Sequence, residues 1–99
     1  MSINNHIRNY YEQLVAEEIL RTMAGHERIN DVDYLADIAC VALNRLPARY
    51  IRFEVDMAFY MTPTELAENT DAVKTAVKDA IAFVNSHRRD PIGDTAVAQ

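Results

Sequence analysis

Apolar residues recur at three- and four-residue spacing in three segments of the chain, which is the pattern of amphipathic helices. The first segment is "HIRNYYEQLVAEEILRTM", residues 6–23, and Gly25 ends it. The last begins at "TPTE", where Thr62 and Glu65 have the spacing of a capping box and Pro63 stands at the first helical position. The sequence thus predicts a helix at each end of the chain.

The second helical segment, "VDYLADIACVALNRL" over residues 32–46, is apolar around most of its circumference. Asn30 or Asp31 is the predicted N-cap, and Pro47 stops the helix because its ring disfavours helical geometry at the preceding residue. Cys40 is expected to be a buried small hydrophobe. A helix of this kind must be enclosed by other elements, and a second subunit is the simplest source of cover.

After Pro47 the apolar period changes to two. The alternation in "RYIRFEVDMAFY", residues 49–60, predicts a half-buried strand, although a helix over residues 53–60 is an alternative because short apolar runs are ambiguous. One strand finds no partner elsewhere in the chain, so it is expected to pair antiparallel with the same strand of a second copy. The predicted fold is mainly α with a short β element: three main helices plus one strand that pairs across a homodimer.

The length of 99 residues and a hydrophobic content of 49% predict one domain over residues 1–90, followed by a flexible tail over residues 91–99. The last helix is expected to end within residues 86–89. No segment approaches the roughly 20 apolar residues of a membrane span, and the N-terminal residues lack the apolar core of a secretory signal. With one cysteine, the chain is expected to be soluble and cytoplasmic.

The charge balance argues against nucleic acid as a partner. Ten Lys and Arg residues stand against 15 Asp and Glu residues, a net charge of -5, which opposes attraction to a phosphate backbone. There is no glycine-rich phosphate loop or nucleophile elbow, and the three histidines lie in different segments, so no enzyme is predicted. His26, Glu27, Asp31 and Asp33 lack the spacing of a calcium loop and favour a polar connector with a helix cap.

A basic cluster nevertheless follows the most apolar segment: Arg45, Arg49 and Arg52, with Tyr50 among them. One interpretation is that Arg45 complements the end of its helix and the others are solvated strand charges. The other is that guanidinium groups hold phosphates while Tyr50 offers a plane for stacking of a base. A small ligand with two negative charges, two bases and two-fold symmetry would match a homodimer, because the dimer carries these arginines and Tyr50 twice.

Two motifs carry a resemblance to the late competence development protein ComFB family. Asn9, Glu12, Leu14 and Val15 fit its N-x-x-E-x-L-V motif. The stretch from Asp37 to Tyr50, "DIACVALNRLPARY", fits a D-I-A-x-x-A-L-N-x-L-P-P-x-Y core, and this second motif is the more specific. The resemblance spans roughly residues 6–88.

The sequence departs from the family pattern at two places. Many relatives carry cysteines just ahead of the Asp-Ile-Ala core and bind zinc there, whereas "RINDVDYLAD" has none, so no zinc or other cofactor is expected. Packing by Ile29, Val32 and Tyr34 is expected to replace it. Ala48 stands where the family has a second proline, which leaves Pro47 to end the helix.

The resemblance implies a dimeric, cytoplasmic, non-enzymatic receptor for cyclic dinucleotides such as cyclic di-GMP, which controls competence, motility or biofilm-type outputs through a downstream protein. Arg45, Arg49, Tyr50 and Arg52 are the candidate ligand-binding residues, chosen from their chemistry. The alternative is a structural or adaptor homodimer without a small-molecule ligand, whose arginines pair with Glu54 or Asp56 of the facing subunit. Asn9 and Glu12 either belong to the family motif for a functional reason or cap and bridge helices.

Overall fold

The computed structural model describes residues 2–87, apart from the side chains of Glu54 and Ala58. The elements are a 3₁₀ turn at Ile3–His6, strand β1 (Arg8–Asn9), helix α1 (Tyr11–Thr22), helix α2 (Val32–Arg45), strand β2 (Tyr50–Ile51), helix α3 (Glu54–Tyr60) and helix α4 (Pro63–Ser86). The predicted mainly helical fold with a short β element is confirmed. The predicted tail, residues 91–99, lies outside the described residues.

The core is formed by α1, α2 and α4, which pack against one another. Each helix contributes one of the largest fully buried side chains, namely Val15, Ile38 and Val77. Two buried tyrosines donate hydrogen bonds to α4, Tyr11 to Oδ1 of Asn69 and Tyr34 to Oδ1 of Asn85. The phenol groups thus fix α1 and α2 along the length of α4 without leaving a buried hydroxyl unsatisfied.

Other parts of the same chain bury much of the apolar surface of helix α2. Ile38 and Ala42 are buried, while Leu35, Ala39, Val41 and Leu43 are partly buried against the same core. The prediction that Cys40 is buried is wrong, because this residue is exposed. Cys40 is two positions from both Ile38 and Ala42, which turns it about 200° away from them, toward the outer side of the helix.

The predicted boundaries hold at four helix ends. Asp31 is the N-cap of α2 and accepts from the backbone N–H of Tyr34 at 3.1 Å. Thr62 and Glu65 form the reciprocal capping box of α4, which ends at Ser86 as expected. Gly25 follows α1 with φ of +81°, a conformation that favours glycine.

The strand prediction for residues 49–60 is wrong in length, and the expectation that this strand finds no partner within the chain is also wrong. Extended pairing is confined to Tyr50–Ile51, and Glu54–Tyr60 forms α3, the helical alternative. The partner is β1 of the same chain, with Arg8 opposite Ile51 and Asn9 opposite Tyr50 in antiparallel register. Helix α1 therefore begins at Tyr11, later than the apolar spacing predicts, because residues 8 and 9 are extended.

The homodimer thus loses one of its two sequence arguments, since the short strand is paired within the chain. It stays a prediction. Among residues 2–87, no helix combines the length and the apolar character needed to cross a lipid bilayer.

We expect Asp31 to make stability depend on pH. Its hydrogen bond from Arg28, and then that from the backbone N–H of Tyr34, hold the pKa of the Asp31 carboxyl below its usual range. A lowered folded-state pKa contributes stability above the ordinary carboxyl pKa, and this contribution disappears as pH falls through the folded-state value. Urea unfolding at a series of acidic pH values should therefore show a shallower loss of stability for Asp31→Asn than for the wild type.

An asparagine at this position can still cap the helix, so the substitution removes the charge and little else. The matched control is Asp33→Asn, two residues further on in the first turn of α2 and exposed. Equal pH slopes for the wild type and Asp31→Asn would contradict the assignment.

Candidate functional site

Asn9 holds the segment after Pro47 against the start of α1. Its side chain is 8% exposed, although it is polar. The Oδ1 atom accepts from the backbone N–H of Arg49 at 3.0 Å and from that of Tyr11 at 3.2 Å. The backbone N–H of Tyr10 in turn donates to the carbonyl oxygen of Arg49 at 2.6 Å. One amide therefore bridges two segments that lie 40 residues apart in sequence.

The family-motif residues Asn9 and Glu12 have structural roles in this arrangement. Glu12 Oε2 accepts from the backbone N–H of Asn9 at 3.4 Å, three residues away. The Asn-x-x-Glu spacing is thus that of a local cap at the start of α1. Of the two interpretations left open by the sequence, capping and bridging is the one that this geometry supports.

Arg49, Tyr50 and Arg52 are all exposed beside this bridge, and we refer to them as the arginine corner. The Tyr50 side chain is 64% exposed, so the face of its ring is accessible. The Arg52 guanidinium carbon lies 4.9 Å from the centre of the Phe53 ring, a cation–π distance. The ion pairs described within residues 2–87, at Arg21 and Arg28, involve other arginines.

Arg52 also lines a cleft of about 430 Å³ between the N-terminal residues and the start of α3. Its walls are formed by Asn5, His6, Ile7, Arg8, Glu12, Arg52 and Phe53. Two guanidinium groups, one imidazole and one carboxylate therefore share this concave surface, which favours an anion of modest size. Arg8 and His6 line this cleft and are candidate site residues that the sequence did not single out.

Arg45 is separated from the arginine corner. Its guanidinium carbon lies 5.5 Å from the centre of the Phe83 ring of α4. It lines a different cleft, between α2 and α4, whose other charged residues are Glu68, Asp71 and Asp79. These carboxylates repel other anions, so an anionic ligand is disfavoured in this cleft. Of the four candidate residues, Arg49, Tyr50 and Arg52 are therefore exposed neighbours in sequence, while Arg45 lines a different cleft.

The polar connector ahead of α2 is organised around Arg28. Its guanidinium pairs with Asp31 at 2.7 Å and lies 3.8 Å from the centre of the Tyr34 ring. His26 Nδ1 accepts from the backbone N–H of Arg28, and its ring stacks on Tyr34 with centroids 6.4 Å apart. These side chains are therefore committed to the cap of α2. In the part of the chain that the structure describes, no group of three or more His, Cys, Asp or Glu residues could hold a metal ion.

Packing in this region differs in part from the prediction. Tyr34 is buried and Ile29 packs partly against the core. The predicted contribution of Val32 is wrong, since this residue is 73% exposed at the first position of α2.

Tyr11 lies between the core and the arginine corner. Burial, and then the neighbouring Tyr10, raise the pKa of the Tyr11 phenol, while Arg49 opposes the shift. The phenol therefore stays neutral at ordinary pH, and its O–H donates to Asn69 at 3.2 Å. Tyr11 therefore packs between the core and the arginine corner as a neutral hydrogen-bond donor.

These features define a small helical domain with an exposed basic corner. The family model described as late competence development protein ComFB matches residues 8–88, which is most of the chain. The chain belongs to the ComFB family. No curated protein and no solved structure gives a significant match.

We predict that Asn9→Ala destabilises the protein by roughly 1–3 kcal/mol, because the backbone N–H groups of Tyr11 and Arg49 both lose their acceptor. Urea denaturation at neutral pH measures the change. The control is Asn30→Ala, at an exposed position of the connector, which should change stability by less than about 0.5 kcal/mol. Equal stability of the two variants would mean that the bridge contributes nothing.

Proposed function

We propose that this ComFB-family chain is a non-enzymatic receptor for a cyclic dinucleotide of the cyclic di-GMP type, bound at the arginine corner. The observation that carries the proposal is that Arg49 and Arg52 flank an exposed Tyr50 on a short strand fixed by Asn9. Neither guanidinium is in an ion pair with a described carboxylate. Both are therefore available to an anionic ligand.

The chemistry of the corner suits a nucleotide with two phosphates. Guanidinium groups bind phosphate oxygens through paired N–H donors, and an accessible tyrosine ring can stack on a base. The neighbouring cleft places the guanidinium group of Arg8 and the imidazole ring of His6 near Arg52, together with the carboxylate of Glu12. A net charge of -5 for the whole chain disfavours a long polyanion but leaves this local surface suited to a dianion.

The family is described by late competence development, so the proposed output of this receptor is competence, or else motility or biofilm-type behaviour. A receptor without catalytic groups must pass its ligand state to another protein, so the proposal includes a downstream partner. The proposed setting is the cytoplasm, where cyclic dinucleotides act, and the proposed assembly is a homodimer that carries two arginine corners.

Arg45 has the smaller part in this proposal. Its cleft contains Glu68, Asp71 and Asp79, and its guanidinium lies against Phe83. We therefore expect Arg45→Ala to weaken binding less than substitution of Arg52.

The adaptor without a ligand is the second candidate, and one observation favours it. Helix α3 and its flanks expose several large apolar side chains, among them Phe59 and Tyr60, each 78% exposed. Such a face is typical of protein contacts. In this case the arginines would act at the rim of a protein interface.

Substitution of Arg52 tests the receptor directly. We expect Arg52→Ala to weaken binding of cyclic di-GMP by about tenfold to a hundredfold, the effect of one lost hydrogen-bonded charge. Isothermal titration calorimetry measures it, with cyclic di-AMP and a linear dinucleotide as specificity controls. Arg21→Ala is the matched control, because Arg21 is an exposed arginine on α1 that pairs with Glu18.

Wild-type protein that binds none of the three nucleotides would overturn the receptor and leave the adaptor. Saturable binding that Arg52→Ala does not weaken would move the site away from the arginine corner.

Tyr50 tests the stacking role separately. Tyr50→Leu should weaken cyclic di-GMP binding by about tenfold, because a base–aromatic stack is worth roughly 1–3 kcal/mol. Tyr50→Phe keeps the ring and should bind like the wild type. The side chain is 64% exposed, so neither change removes a core contact. Equal loss in both variants would instead indicate that the hydroxyl group binds the ligand.

A further inference from the structure

A cleft of about 540 Å³ lies between the C-terminal end of α2 and the middle of α4, and it shares no lining residue with the arginine corner. Its apolar lining consists of Leu46, Pro47, Ala72 and Ala76. Leu46 and Ala76 also belong to the hydrophobic core, while Ala72 is exposed. The apolar lining is therefore an outer part of the core that reaches the surface. We refer to this surface as the α2–α4 cleft.

Three carboxylates lie along this apolar lining: those of Glu68, Asp71 and Asp79, all exposed on α4. Within residues 2–87, none of the three forms an ion pair. Glu68 and Asp79 are eleven residues apart, so at 1.5 Å per residue the carboxylates extend over about 16 Å, or three helical turns. The lysines of α4, Lys74 and Lys78, do not line the cleft. Negative charge is therefore concentrated on this side of the helix.

We infer that the α2–α4 cleft is the docking site for a basic segment of the downstream protein, in which lysine or arginine side chains stand beside an apolar one. The apolar lining buries the apolar side chain, and the three carboxylates attract the cations around it. An apolar centre with charges at its edge is the usual composition of a protein–protein contact. The inference rests on the proposed function for the existence of a downstream protein, and it adds the chemistry of that partner.

The charge of the cleft argues against other occupants. Nucleic acids and anionic lipid surfaces carry many negative charges, which the three carboxylates repel. A second copy of the chain would have to place its arginine corner in the cleft, and such a head-to-tail contact leaves the cleft of one copy open. Contacts of that kind build rings or filaments rather than a two-fold dimer. A basic segment of another protein meets neither obstacle.

Arg45 is the one positive charge among the residues that line the α2–α4 cleft. Its guanidinium carbon lies 5.5 Å from the centre of the Phe83 ring. Because like charges repel, Arg45 opposes the docking of a basic segment while the carboxylates favour it. Removal of Arg45 should therefore strengthen docking, and removal of a carboxylate should weaken it. Substitutions elsewhere that change the net charge equally separate this local effect from the charge of the whole chain.

Fluorescence anisotropy of a labelled synthetic peptide with the full chain tests the cleft. The probe is a peptide of about 14 residues with Lys, Arg and Leu at helical spacing, long enough to cover three turns of α4. A reference peptide carries Ser in place of each Leu. The double variant Asp71→Asn, Asp79→Asn should bind the probe about threefold to tenfold more weakly, the effect of two lost exposed charge pairs. The control of equal net charge is Glu17→Gln, Asp33→Asn, at exposed positions outside the cleft, which should stay within about twofold of the wild type.

A substitution without charge tests the apolar lining. Ala72→Gln places a longer side chain in the cleft and should weaken binding of the probe by about threefold or more, because it occupies the space of the docked side chain. Ala67→Gln makes the same change at an exposed position of α4 outside the cleft and should bind like the wild type. Glutamine is a good helix former, and circular dichroism verifies that both variants keep their helices.

Arg45→Ala should strengthen binding of the probe by about twofold to threefold, whereas Arg21→Ala, the same change of charge on α1, should not. Equal effects of the cleft substitutions and their controls would overturn the inference, since the net charge alone would then attract the peptide. So would a reference peptide that binds as tightly as the probe. Self-association of the chain that the cleft variants abolish would assign the cleft to a second copy instead. No nucleotide is present, so failure here is distinct from failure of the receptor function.

Discussion

The position of the arginine corner depends on one buried amide. Two extended residues cannot pair their own backbone N–H and C=O groups with each other. The backbone N–H groups of the segment that follows Pro47 therefore need acceptors from elsewhere in the chain. Asn9 accepts from the N–H of Arg49, while β1 pairs with β2 on the other side of the same junction. The exposed side chains of Arg49, Tyr50 and Arg52 are therefore displayed from a backbone fixed to α1, and α1 is fixed to the core through Val15 and Ile19.

The helix caps could be predicted because the residues that form each cap are close together in sequence. The N-cap Asp31 and the capping box of Thr62 and Glu65 are satisfied within three residues, so the sequence contains everything needed to identify them. The strand could not be predicted in the same way, because its partner is 40 or more residues away and resembles the first turn of a helix in its apolar spacing. Residues 53–60 satisfy both periods, and the short β1–β2 pairing leaves them outside the ladder, where a helix satisfies their backbone groups.

The candidate site was predictable to the extent that its residues are adjacent in sequence. Arg49, Tyr50 and Arg52 lie within four consecutive residues at and beside strand β2, so the sequence alone shows that they are neighbours. Arg45 is four residues earlier but belongs to the last turn of α2, and its direction is set by the packing of α2 on α4. Arg8 and His6 join Arg52 through the antiparallel register of β1 and β2, a long-range pairing that no local pattern contains. The prediction that Cys40 is buried was wrong for a related reason. When a helix is apolar on most sides, only the position of the core determines which side is exposed.

Charge and exposed apolar area act together on the same short stretch. The chain has a net charge of -5, so two copies repel each other at long range, and association requires a favourable contact at short range. Helix α3 exposes Val55, Phe59 and Tyr60, and the arginine corner directly precedes it in sequence, so exposed apolar area and positive charge occur side by side along the chain. A dianionic ligand at that corner would neutralise part of this positive charge, which couples ligand binding to association in thermodynamic terms. In the proposed dimeric receptor, residues 49–60 would be where the ligand and the second subunit each affect the binding of the other.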